Sequence, residues 1–86
     1  MQEIINEKVS VITVFDRSRG FVFPQKIRWQ GKIYRPHKLG YHYKIREGRK
    51  LIHIFSVCDD AMYFKLRFDS ENLHWTLEEV SDGTAN

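Results

Sequence analysis

The stretch "AMYFKLRFDSENLHWTLEEV", Ala61 to Val80, decides the fold class. Met62, Phe64, Leu66 and Phe68 alternate with Tyr63, Lys65 and Arg67. Further on, Leu73, Trp75 and Leu77 alternate with His74, Thr76 and Glu78. Successive side chains leave a pleated strand on opposite faces, so a period of two marks a half-buried strand. Between the runs, "DSEN" supplies turn residues, and the pair reads as a hairpin. Lys65 and Arg67 can then lie opposite His74, Thr76 or Glu78. Such cross-strand charge pairs contribute about 0.2–1 kcal/mol each and help to fix register.

Immediately upstream, "KLIHIFSV" is almost continuously apolar and reads as a central strand buried on both faces. It joins the quoted stretch through "CDDA", a tight turn in which Asp59 and Asp60 serve backbone bonding rather than acid–base chemistry. Near the start, "VSVITVF", Val9 to Phe15, is a first strand, and "DRSRG" is its turn. "KIRWQGKIYR" reads as a hairpin around Gln30–Gly31. A two-residue loop pairs Trp29 with Lys32; a three-residue loop pairs Ile27 with Ile33. The second brings apolar residues together and is preferred. Pro24 is expected before the strand and Pro36 at the end of the return strand. His37 to Lys50, broken by Gly40 and Gly48, reads as a long loop or as two short strands around a bend.

No segment carries helical periodicity. The expected fold is all-β: five to six short antiparallel strands in meander order. A flat sheet would leave its Phe, Trp and Leu face wet, so a small SH3-like or OB-like barrel, a curled sheet or two packed sheets is expected. The chain is 86 residues, one domain, with ends expected to fray at about 1–7 and 81–86.

Cys58 is the sole cysteine, which excludes an internal disulfide and a Cys-based zinc site within one chain. It reads as a small apolar residue at a strand end. His37, His42, His53 and His74 show no standard ligand spacing; His53 and His74 are candidates to meet across a sheet, and otherwise are ordinary strand histidines. No residue sits in a recognisable nucleophile or acid–base setting, so no enzyme, cofactor or metal is expected. No apolar run reaches the roughly 18–20 residues of a membrane-spanning helix. "MQEIINEKVS" does not look like a signal peptide. A cytoplasmic location is expected.

The net charge of +3 conceals an asymmetry. Residues 17–50 hold eleven Lys or Arg against Glu47 alone, whereas residues 51–86 hold two against seven acids. If folding keeps these blocks apart, one side is basic and attracts polyanions. Within the basic block, Arg28, Lys32, Arg35, Lys38, Lys44, Arg46, Arg49 and Lys50 are candidates for phosphate contacts. Tyr41 and Tyr43, alternating with His42, are candidates to stack unpaired bases. The resulting expectation is a non-catalytic module for single-stranded or irregular nucleic acid. The same features have a plainer reading: Trp29, Ile33 and Tyr34 as core, the two tyrosines as a barrel cap, and strand cations as guards against edge pairing. The competing function is a protein-interaction module, either for an acidic partner or as a homodimer through a sheet edge or aromatic patch.

The spacing P-x-x-I-x-W-x-G-K-x-Y from Pro24 to Tyr34, followed by "HIFSV", "FKLRFD" and "LHWTLEEVSD", resembles a family of small bacterial all-β domains. These occur alone or at the C-terminal end of proteins similar to Y-family DNA polymerases, in the mutagenic-repair accessory branch. The likeness spans roughly Val9 to Asp82, with Pro24, Trp29, Gly31, Tyr34, Phe64, Leu66, Trp75 and Leu77 as its firmest marks. It implies a β fold and a setting near DNA repair, and no catalytic residues. "HKLGYHYKIREGRK" belongs to the stand-alone type, and no polymerase-like portion is present here.

Overall fold

The computed structural model describes residues 2–18 and 20–82. Seven strands follow in chain order: β1 (Gln2–Asp16), β2 (Phe21–Trp29), β3 (Lys32–Tyr34), β4 (Lys38–Glu47), β5 (Lys50–Cys58), β6 (Tyr63–Asp69) and β7 (His74–Ser81). All pair antiparallel in one sheet, in the order β3-β2-β1-β7-β6-β5-β4, and the sheet is not closed. The all-β expectation holds. The strand count is seven rather than five to six, because Lys38–Glu47 forms one continuous strand and Lys32–Tyr34 a short one. Two meanders, β1-β2-β3 and β4-β5-β6-β7, are joined by the pairing of β1 with β7.

β1 explains the overall shape. Fifteen extended residues would span about 50 Å, yet the longest dimension of the molecule is 35 Å. The strand must therefore bend. It changes partner as it does so: Gln2–Val9 pair with β7, and Ser10–Asp16 pair with β2. Register shifts fall on both halves, one beside Asn6 at φ 53° and one between Ile12 and Thr13. Bulges of this kind bend a strand and increase its twist. Within the ends expected to fray, about 1–7 and 81–86, Gln2–Ile4 and Glu7 pair with β7 and Gln2 faces Ser81, while 1 and 83–86 lie outside the described residues.

The bend folds β2 and β3 over β5, β6 and β7. Ile27 and Trp29 share one core with Phe55, Val57, Phe64, Leu66, Trp75, Leu77 and Val80. Tyr34 of β3 meets Phe64 of β6 at 5.2 Å between ring centroids, although three strands separate them in the sheet. Burying each of the large side chains contributes about 1.5–3 kcal/mol. Curling therefore recovers the apolar face that a flat sheet would leave in water.

Three local expectations are corrected. The first hairpin takes the two-residue loop, with Trp29 opposite Lys32 and Ile27 opposite Tyr34. Gln30 and Gly31 both have positive φ, 52° and 75°, as the favoured two-residue hairpin turn requires. Tyr34 takes the core-facing place because its ring reaches Trp29 and Phe64, and Ile33 is left outside. Pro24 lies within β2, fully buried opposite Thr13, where the register shift removes the need for its missing N–H. The 37–50 segment is neither a loop nor two strands. Gly40 forms a bulge between Leu39 and Tyr41, so close to β5 that a Cβ would stand 3.2 Å from the Ser56 carbonyl oxygen.

Asp59 accepts bonds from the backbone N–H of Ala61 and Met62, at 2.8 and 2.7 Å, which is the expected turn role. Cys58 is free and buried at the end of β5, as expected. Leu73, expected on the core face, is exposed in the turn before β7. No helix among the described residues is long and apolar enough to cross a membrane.

Candidate functional site

The two edges of the open sheet, β3 and β4, are joined in sequence by Arg35–His37 alone. The basic block from Arg28 to Lys50 therefore builds both edges. β4 is the longer one, and its partner on the inner side is β5. Residues directly opposite in an antiparallel pair share a face. Register then divides β4 in two. His42, Lys44 and Arg46 lie opposite Phe55, His53 and Leu51; Tyr41, Tyr43 and Ile45 lie opposite Ser56, Ile54 and Ile52.

The first set stands on the concave side, towards the core. His42 stacks on Phe55, with ring centroids 4.4 Å apart and planes 14° from parallel. His42 Nε2 and His53 Nδ1 are 2.8 Å apart, so one ring donates a hydrogen bond and the other accepts it. The aromatic ladder continues through Phe55–Trp75 at 5.4 Å and Phe68–Trp75 at 4.7 Å. Burial, then the neighbouring His53 and Lys44, holds the His42 ring below its ordinary pKa of 6.5. His53 is lowered in the same direction by burial and then by Lys44. Both shifts favour the neutral rings, and the hydrogen bond between them needs one nitrogen of the pair unprotonated to accept it.

The second set stands on the convex side. Tyr41 and Tyr43 stack at 5.5 Å between centroids and remain 46% and 44% exposed. They are not a barrel cap. Acids surround this face. Glu47 makes a two-pronged pair with Arg67, through Nη1 at 2.8 Å and through Nη2. Lys65 lies 3.8 Å from Glu78 and 3.4 Å from Glu79. Lys50 lies 3.4 Å from Asp69. Hydrogen bonding to Arg67 holds Glu47 below the usual carboxylate range, and the same bond raises Arg67. Burial pulls the Lys65 ammonium down, but Glu79, Tyr43 and Tyr41 together make the net shift upward.

Glu47, Asp69, Glu78 and Glu79 are thus committed to Arg67, Lys50 and Lys65. Asp69 also caps its turn, accepting from Glu71 N–H at 2.9 Å. Asp60 faces His37 at 2.9 Å. Among the described residues, no acid stands within ion-pair distance of Arg28, Lys32, Arg35, Lys38, Lys44, Arg46 or Arg49.

The sequence-derived site is therefore brought together only in part. Lys44, Arg46 and His42 share one surface. Arg28 lies on β2, Lys32 on β3, Arg35 in the connection, Lys38 at the start of β4, and Arg49 in the β4–β5 turn. Lys50 is drawn to Asp69. Tyr41 and Tyr43 point away from Lys44 and Arg46, because alternation places neighbours in a strand on opposite faces. His53 meets His42 rather than His74: β6 separates β5 from β7, and His74, opposite Asp69, lies on the convex side near Lys8 at 2.9 Å. Among the described residues no three His, Cys, Asp or Glu gather as a metal site.

The sequence reading did not single out the concave wall formed by His53, Phe55, Phe68 and Trp75. A signal existed in the alternation His53, Phe55, Val57, and in Glu47-Gly48-Arg49-Lys50, whose two-residue loop sets the β4–β5 register. No protein-family model, no curated protein and no solved structure matches the chain.

Proposed function

We propose that this chain is a non-catalytic module that binds single-stranded or irregular nucleic acid along the open edges of its sheet. The observation that carries this reading is the segregation of charge. Lys50, Lys65 and Arg67 are neutralised by Asp69, Glu78, Glu79 and Glu47, whereas seven cations between Arg28 and Arg49 have no acid beside them among the described residues. Lys44 and Arg46 follow the phosphates next to an aromatic wall, and Lys32, Arg35 and Lys38 extend the positive edge around the connection. Cations that track a backbone beside stacking rings are the usual means of holding single strands. The resemblance to domains appended to polymerase-like repair proteins makes DNA repair a natural setting. Fluorescence anisotropy with a labelled oligonucleotide tests the reading. Binding should appear at about 50 mM salt and weaken steeply as salt rises, because counterions are released from each contacted phosphate. Absence of binding at the low-salt end rejects it.

A second reading is favoured by exposed apolar side chains. Ile12, Val14, Phe15 and Val22 on the β1–β2 hairpin, and Ile33 on β3, are all open to solvent. On this reading the chain is a protein-docking module or a homodimer. Light scattering of the purified protein tests the homodimer form of this reading: a dimer mass that Phe15→Ser splits supports docking between copies, and a monomer removes that form.

A further inference from the structure

Where β1 and β2 arch over the sheet they leave a groove of about 290 Å³. Its floor is His53, Phe55, Phe68 and Trp75, and its opposite wall is Thr13 and Val22. Three features restrict what it can hold. The floor is a set of ring faces and edges, with Phe68–Trp75 and His53–Phe68 tilted at 42° and 58°, so a flat unsaturated ligand fits better than a branched aliphatic one. Most of the lining is apolar or aromatic, and Thr13, His53 and the indole N–H of Trp75 are the few polar groups these residues carry, sparse but able to orient one ligand. Cations stand beside its floor: Lys44 is directly opposite His53, and Arg46 follows on the same face of β4. Neither cation has an acid partner among the described residues. A flat apolar ligand attached to negative charge matches all three features.

We infer that this groove receives one unstacked base of a single strand, with the flanking phosphates on Lys44 and Arg46. The inference rests on the nucleic-acid reading and adds to it the place where a base is held. It also assigns stacking to the concave wall instead of Tyr41 and Tyr43. Those rings lie among Glu47, Glu78 and Glu79, whose charge opposes the phosphates that must accompany a base. A duplex cannot present a base edge-on to the groove without unpairing it, so single strands are preferred.

The test uses the full chain carrying Trp29→Phe, which leaves Trp75 as the sole tryptophan, and an oligodeoxythymidine probe. Binding should alter Trp75 emission in step with the anisotropy of the probe. Thr13→Gln fills the groove from an exposed strand position with a neutral side chain. It should weaken the oligonucleotide about tenfold, within the range of one lost base stack, with the salt slope unchanged. Val22→Gln, on the same wall, should act likewise, and circular dichroism verifies that each variant is folded. If anisotropy reports binding while Trp75 emission and both variants' affinities are unchanged, the groove assignment is overturned and the polyanion surface stands. If no variant binds, including the parent, both fall.

Discussion

The two faces of β4 differ by one residue of register and by almost everything else. On the convex face, Tyr41, Tyr43 and Glu47 look out over Lys65, Arg67 and their carboxylates, so positive charge is cancelled where it arises. On the concave face, His42, Lys44 and Arg46 stand beside an aromatic wall, with no acid at ion-pair distance from Lys44 or Arg46 among the described residues. Ion pairs between exposed groups contribute only about 0–1 kcal/mol. The convex network therefore does little for stability and much for the field: it removes one face from any competition for anions.

The comparison can be broken most severely from beneath. Phe64 is fully buried, meets Tyr34 across the curl and shares one core with Phe55 and Trp75 of the concave wall. Phe64→Ala should destabilise the fold by about 3–5 kcal/mol, a large part of the roughly 5–15 kcal/mol available to a small domain. Urea denaturation followed by circular dichroism would show it. If the loss is under about 1 kcal/mol, the two halves of the curled sheet do not depend on one another.

A sharper test separates the faces by function. Lys44→Glu with Arg46→Glu should weaken oligonucleotide binding at least about tenfold and flatten the salt dependence, because phosphate contacts are lost. Lys65→Gln, which removes a cation already neutralised on the convex face, should change affinity less than about twofold by the same logic. Equal losses from both changes, measured by anisotropy, would mean that the faces are not electrostatically distinct.

Acid should expose the same division in stability. His42 and His53 have folded pKa values below 6.5, so the unfolded chain binds more protons as pH falls through that region. Their contribution is complete above about pH 6.5 and declines as pH drops below it. On the convex side Glu47 and Asp69 are held below their ordinary values of 4.5 and 3.8. Their contribution persists above those values and is lost only in stronger acid. Urea midpoints measured across this range should therefore fall in two stages. His42→Gln should remove part of the first stage and leave the second.

The smallest expected effect belongs to the tyrosine pair. Tyr43→Ala forfeits an exposed stack and should cost no more than about 0.5–1.5 kcal/mol, with oligonucleotide affinity held. A large loss of binding in this variant would return base stacking to the convex face.

Much of the scaffold was legible from the chain. The period of two in Phe64–Phe68 and in Trp75–Leu77 gave β6, β7 and their core faces, and Asp59 announced its turn. Lys38–Glu47 was not legible as one strand, since Gly40 looks like a breaker until Ser56 is seen pressed against it. The first hairpin was misread because two apolar partners, Ile27 and Ile33, seemed a better pair than Ile27 and Tyr34. Counting charge found the basic block, and alternation paired Tyr41 with Tyr43. Neither found the groove, which joins Thr13 and Val22 to Phe68 and Trp75 from opposite ends of the chain.

The amino-acid order alone determined that this protein is strand-built, which residues alternate, and that its cations fall in one block, because these are properties of neighbours along the chain. Only the folded sheet decided which cations keep their charge unopposed and which rings line a cavity. Those outcomes depend on cross-strand register and on the bend in β1, where one residue of slip moves a side chain from one face of the sheet to the other.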